Sequence, residues 1–158
     1  MEILRAEKSH IPALICLLQQ VGEVHHQGRP DLFRSGAQKY DVPQLEEILQ
    51  DETRPIFVAV EADRVLGYCF CEEKITGEHP VLCRHKSLYI DDLCVDENCR
   101  GQKAGTALYD HVAAYARAAG FDSITLNVWA FNAPAMAFYR RMGMQERNIY
   151  MEQKLGDN

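Results

Sequence analysis

Two rhythms of apolar and polar positions meet at one short polar turn in the second half of the chain. Residues 87–96, Ser-Leu-Tyr-Ile-Asp-Asp-Leu-Cys-Val-Asp, read as a strand. Downstream, Ala104, Ala107, Leu108, Val112, Tyr115, Ala116 and Ala119 recur at helical spacing, and Gly120 stands where a helix stops. Between them lies Arg100-Gly101-Gln102-Lys103-Ala104-Gly105, a strand-to-helix turn. A helix opening there offers unpaired N–H groups and the positive end of its dipole, which suit a phosphate. Asp91 and Asp92 lie on the strand that leads into it. An anion site beside two carboxylates is the strongest chemical signal in the chain.

The remaining pattern supplies the frame. Residues 2–6 predict a short strand. A helix follows, with Ser9 as its cap, Pro12 in its first turn, and Ile11, Leu14, Ile15, Leu18 and Val21 on one face. It ends over 25–30. Residues 31–40 hold no sustained period and read as a loop, the kind of segment that carries specificity. Residues 43–50 predict a short helix with Leu45, Ile48 and Leu49 aligned. Strands over 56–60 and 65–71 form a hairpin, and 75–86 is a polar connection. After the central strand and its helix come a strand over 123–130, a helix over 133–142 capped by Asn132 and ended by Gly143, and a last alternating strand over 148–155. The order β-α-α-β-β-β-α-β-α-β predicts an α/β fold with a mixed sheet, in one domain spanning 1–158.

Composition narrows the function classes. A net charge of −6 argues against a nucleic-acid surface and is compatible with a cationic substrate. No apolar run approaches the roughly 20 residues of a membrane span. The first residues lack a basic start and apolar middle, so the cytoplasm is the expected compartment. The 6 cysteines include no C-x-x-C pair, and Cys16, Cys69 and Cys94 lie among apolar residues. Buried free thiols are expected, with no metal site.

With these residues in view, the chain resembles the GNAT superfamily of acetyl-CoA-dependent N-acetyltransferases. Leu93-Cys94-Val95 followed by the 100–105 turn looks like the family's pyrophosphate loop, R/Q-x-x-G-x-G/A. Asn127 and Asn132 fall at matching places, and Ala137-Phe138-Tyr139-Arg140-Arg141-Met142-Gly143-Met144 is similar to the family's helix-end signature. One departure stands out. Counted from Arg100, Lys103 replaces the first motif glycine. Counted from Gln102, the pattern fits as Gln102-x-x-Gly105-x-Ala107. The register stays open by two residues, and a lysine lacks glycine's access to unusual backbone angles.

The resemblance implies a mostly antiparallel sheet, splayed at its middle and flanked by helices. It implies acetyl-CoA as co-substrate, held by the backbone of Arg100, Gly101, Gln102, Lys103, Ala104, Gly105 and Thr106, with Leu93, Cys94 and Val95 pairing with the pantetheine arm and supplying an oxyanion donor. Asn127 and Asn132 would touch the cofactor. Tyr139 matches the tyrosine that protonates the departing thiolate. By resemblance to polyamine-type members, Asp91 is the first choice for the base and Asp92 the second, fixing the substrate ammonium. Strand alternation puts the two aspartates on opposite faces unless a bulge intervenes. The acceptor would be a small-molecule or peptide amine, and the resemblance leaves room for a homodimer. A non-catalytic CoA-binding sensor or scaffold is the alternative. A dinucleotide-binding oxidoreductase fails on the incomplete glycine pattern. His111, Trp129, His25 and His26 read as packing or rim residues. Cys94 as an acyl-carrying nucleophile lacks an activating base.

Overall fold

The computed structural model describes residues 1–156, which form β1 (Glu2–Arg5), α1 (Ile11–Gly28), α2 (Val42–Gln50), β2 (Ile56–Glu61), β3 (Arg64–Thr76), β4 (His85–Val95), α3 (Ala104–Ala118), β5 (Ser123–Leu126) and α4 (Ala133–Arg141). The chain divides into two compact units, one over Met1–Asn127 and one from Val128 onward. The first unit holds the whole sheet, in the order β1-β2-β3-β4-β5. Its first four strands are antiparallel neighbours and β5 joins β4 in parallel, so the sheet is mixed and mostly antiparallel.

Alternation along the strands divides the core between two helical layers. Val58, Tyr68, Phe70 and Cys94 pack with Leu14, Leu17 and Leu18 of α1 and with Leu45 and Ile48 of α2. The intervening residue Phe57 turns to the other face, where His111 and Tyr115 of α3 meet its ring edge-on at 4.8 and 5.3 Å. His111 is therefore a packing histidine. On α3, Leu108, Val112 and Ala116 are buried, as the helical stripe predicts.

Local chemistry sets the element ends. Asp41 caps α2 by accepting from the Gln44 N–H, while Gln44 accepts from the Asp41 N–H, both at 2.9 Å. Ser9 does not cap α1. A helical turn over Lys8–His10 runs into α1, and the Glu7 N–H is taken by His10 Nδ1 at 3.0 Å. Strands β3 and β4 extend further than predicted, so the polar connection shrinks to residues 77–84. Alternating side chains in this long hairpin continue the ladder past the hydrophobic run, because a strand is held by its partner as well as by its own pattern.

The second unit holds α4. Asn132 caps it, its side-chain oxygen accepting from the Ala135 N–H at 3.2 Å, and Gly143 ends it with φ +88°. The strand expected over 148–155 is not formed, and Ile149, Tyr150, Met151 and Leu155 are exposed. An alternating pattern makes a strand only when a neighbour accepts its backbone hydrogen bonds. Cys16 also departs from expectation. It is exposed, as is Cys83, while Cys69, Cys71, Cys94 and Cys99 are buried free thiols. Its spacing on α1 carries it off the core face.

Candidate active site

The central strand changes character halfway along. From Ser87 to Ile90 it pairs on both sides, with β3 and with β5. After Ile90↔Leu126 the parallel ladder with β5 stops, and residues from Asp91 to Val95 have only β3 beside them. The break coincides with a bulge. Phe70 pairs with Asp92 and Cys71 with Ile90, leaving Asp91 as the extra residue on β4. A bulge disrupts the ladder and strengthens the local twist, which accounts for the early end of β5. The strand expected to reach residue 130 stops at Leu126, and Asn127 stands just beyond it, donating to the Tyr89 hydroxyl at 3.1 Å.

The extra residue also reverses the alternation. Before it, Ile90 shares a face with Cys71, so Asp91 lies on the α1 side. After it, Asp92 and Cys94 share that same side with Phe70 and Tyr68. Both carboxylates therefore face one site, where simple alternation keeps one of them away. Tyr40 and Tyr68, near the two carboxylates, are joined through the Phe70 ring. The Tyr40 ring stacks on Phe70 at 5.8 Å, and Phe70 meets Tyr68 edge-on at 4.9 Å.

The two carboxylates have different partners. Asp91 Oδ2 accepts from Lys39 Nζ at 2.8 Å and from the Tyr40 hydroxyl at 3.3 Å. Asp92 Oδ2 accepts from the Tyr68 hydroxyl at 3.0 Å. Burial pushes the Asp92 carboxyl up to about 6 and the Asp91 charge adds to this, against the opposing pull of Lys39, the Tyr68 hydroxyl and the Leu93 N–H. Burial likewise raises Tyr68 well above its ordinary range, so it stays a neutral donor. On Lys39, the hydrogen bond to Asp91 and the charge of Asp92 outweigh burial, and its pKa is raised. Burial and the Lys39 charge lower His25.

The neighbouring backbone is fixed from behind. Gly67 of β3 faces Val95, and a Cβ there would stand 2.6 Å from the Cys94 carbonyl oxygen. Leu93, Cys94 and Val95 are thus held against a strand that tolerates no side chain at that point. The Cys94 thiol is buried, donates to the Leu17 carbonyl at 3.7 Å, and is pushed up to about 12, chiefly by burial. A thiol in that state is a packing group and a poor nucleophile.

At the far end of β4, Asp96 caps a short helical turn over Glu97–Cys99, and Arg64 pairs with Asp96 at 2.7 Å. Gly101 then turns with φ +82°, and Lys103, at the N-cap of α3, takes the left-handed conformation with φ 64°. A lysine thus adopts the angles at which a glycine was expected. The Lys103 side chain makes no cap hydrogen bond, leaving the first-turn N–H groups of Ala104, Gly105 and Thr106 to other acceptors. Alternating left-handed and ordinary residues make a concave run of N–H groups, an arrangement that suits phosphate oxygens. Tyr139 lies on α4 of the second unit, its ring 5.2 Å from Phe138. Trp129 is stacked with Phe131 at 6.0 Å. Among the described residues, no three His, Cys, Asp or Glu side chains gather as metal ligands, and no helix is long and apolar enough to cross a membrane.

Three contributors escape sequence reasoning: Lys39, Tyr40 and Tyr68. The first two belong to a loop recognisable only as a specificity segment, and Tyr68 reads as a core aromatic. Nothing in their local pattern announces a carboxylate partner.

Comparison with known proteins bears on this geometry. Residues 23–144 match the family described as Acetyltransferase (GNAT) family. Over 105 residues the chain is 31% identical to peptidyl-lysine N-acetyltransferase YjaB of Salmonella typhimurium, a match covering 65% of this chain and 59% of that protein. It is 41% identical over 95 residues to streptothricin acetyltransferase of Streptomyces lavendulae, covering 60% and 46%. The chain thus matches only about half the length of these curated relatives. A crystal structure of a singly mutated protein from Bacillus halodurans is 31% identical with a TM-score of 0.94, covering 98% of this chain and 99% of that one. An aminoglycoside N-acetyltransferase in complex with CoA is 16% identical with a TM-score of 0.69, covering 97% of this chain and 99% of that one; this is a likeness of fold.

Proposed function

The chain belongs to the GNAT acetyltransferase family, and from that premise we propose that it moves an acetyl group from acetyl-CoA to the primary amine of a cationic small molecule or a peptide. What supports this reading most is the bulge in β4. It turns Asp91 and Asp92 to one face at the point where the strand loses its β5 neighbour.

Each part of the chemistry has a candidate group. The N–H donors from Arg100 to Thr106 hold the pyrophosphate, and the left-handed Gly101 and Lys103 help them converge. The unpaired side of Leu93, Cys94 and Val95 takes the pantetheine arm as an added strand. When bound, the co-substrate supplies the thioester carbonyl that the amine attacks. An N–H of the same segment stabilises the oxyanion, a contribution of about 3–4 kcal/mol for such donors. Asp91, whose side chain is 28% exposed, receives the amine's proton directly or through water. Asp92, on the same face, fixes the positive charge. Asn127, Asn132 and Tyr139 enter by resemblance, the asparagines as cofactor contacts and Tyr139 as the acid for the leaving thiolate.

The acceptor is a cation by the chemistry of its site. Asp91 already binds an ammonium, that of Lys39. Thiol release from acetyl-CoA, measured against polyamines, aminoglycosides, amino acids and lysine peptides, tests the reading. Turnover with a cationic amine is expected, and Tyr139→Phe should lower kcat by roughly 10²–10⁴-fold. CoA binding without turnover on any amine would favour a sensor or scaffold.

A further inference from the structure

Lys39 is held where an acceptor's ammonium would have to go. It reaches Asp91 from 52 residues away in sequence and stands 2.8 Å from the carboxylate oxygen. Its ammonium also lies over the Tyr40 ring, 5.4 Å from the centroid. Charge, hydrogen bond and aromatic face together make the usual environment for a primary ammonium. The loop that brings Lys39 there is anchored along its length. Arg29 forms a two-pronged pair with Asp31, His26 Nδ1 lies 2.7 Å from the Phe33 carbonyl, Gln38 donates to the Tyr40 carbonyl, and Asp41 caps α2. The placement is therefore built into the fold, while the pair itself is open. The Lys39 and Asp91 side chains are 40% and 28% exposed.

We propose that Lys39 is a specificity-determining residue, an internal ammonium that occupies the Asp91 subsite and that a cationic acceptor must displace before it is acetylated. This rests on the function proposed above and adds to it. An acceptor carrying only one weak positive contact competes poorly with a tethered lysine. A polyamine or lysine-rich segment brings further charges to Asp91 and to Asp92 on the same face, and prevails. Ion pairs of this exposure are weak, so displacement costs up to about a fivefold factor in affinity.

Calorimetric titration with spermidine and with propylamine, on wild type, Lys39→Met, Lys39→Arg and Asp91→Asn, reads this without turnover. Lys39→Met should bind both amines up to about fivefold more tightly, with the larger proportional gain for propylamine. Lys39→Arg should stay near wild type, and Asp91→Asn should lose affinity. Where turnover is measured, the Lys39→Met gain should appear in KM. Unchanged or weaker binding by Lys39→Met, or no amine binding by any variant, would overturn the proposal. Tighter binding without thiol release from any variant would instead leave the subsite intact and refute the catalytic reading.

Discussion

The two ends of the β4–α3 segment are built on opposite principles. At the acidic bulge, the chemistry lies in side chains: two carboxylates, a lysine and two tyrosines, each meeting a named partner. At the turn into α3 it lies in the backbone, in the left-handed angles of Gly101 and Lys103 and the N–H groups that follow. A side-chain site depends on residue identity, whereas a backbone site depends on conformation and tolerates many residues. The difference explains why a lysine can stand in a glycine's place in the turn. It also implies that substitutions at the bulge should have much larger effects than substitutions at the turn.

The sharpest contrast is expected from Asp91→Asn. Removing the base should lower kcat/KM for a cationic amine by roughly 10²–10⁴-fold, while leaving CoA affinity near wild type. Equal losses in both would erase the distinction between the two ends. Gly67→Ala tests the backbone between them. A Cβ placed 2.6 Å from the Cys94 carbonyl oxygen must push β4 away. A loss of about 1–3 kcal/mol in urea unfolding is expected, accompanied by weaker CoA binding if residues 93–95 hold the pantetheine arm.

Asp92 gives the bulge a signature in pH. Its folded pKa, about 6, lies above the ordinary carboxylate value of 3.8. Between those values the folded state binds the proton more tightly than the unfolded chain, so stability falls as pH rises through the window. Above it the penalty is fully present, on the order of 2–3 kcal/mol. Asp92→Asn should remove that slope, and its stability relative to wild type should improve from pH 4 to pH 7. A constant difference across the range would place Asp92 in solvent.

Lys103→Gly should have the smallest effect. Glycine relieves a left-handed lysine, but its freer unfolded chain offsets the gain, so stability should move by less than about 1 kcal/mol. CoA affinity should fall by no more than about fivefold through the lost charge. A larger loss would make the lysine side chain, and not the turn, the phosphate ligand.

How much of this was readable beforehand follows the same division. The strand-turn-helix order, the α3 stripe and the Asn132 cap are local patterns, and the structure bears them out. The glycine-rich turn is legible for the same reason, since its residues are contiguous. The bulge is not, because a one-residue slip appears only against the register of β3, and alternation along β4 alone gives the wrong face for one aspartate. Lys39 and Tyr40 are illegible for a related reason: their meaning lies in a contact more than 50 residues away. The failed strand over 148–155 shows the converse, a good pattern without a ladder partner.

The central claim is that the bulge turns both aspartates to one face and half-buries Asp92 there. Carboxyl-carbon NMR titration of the aspartates reads it directly, without an acceptor or a cofactor. Asp92 is predicted to titrate near pH 6 and to shift when Asp91 is replaced by asparagine. Titration of Asp92 near 3.8, indifferent to Asp91, would put it on the opposite, solvated face and contradict the account.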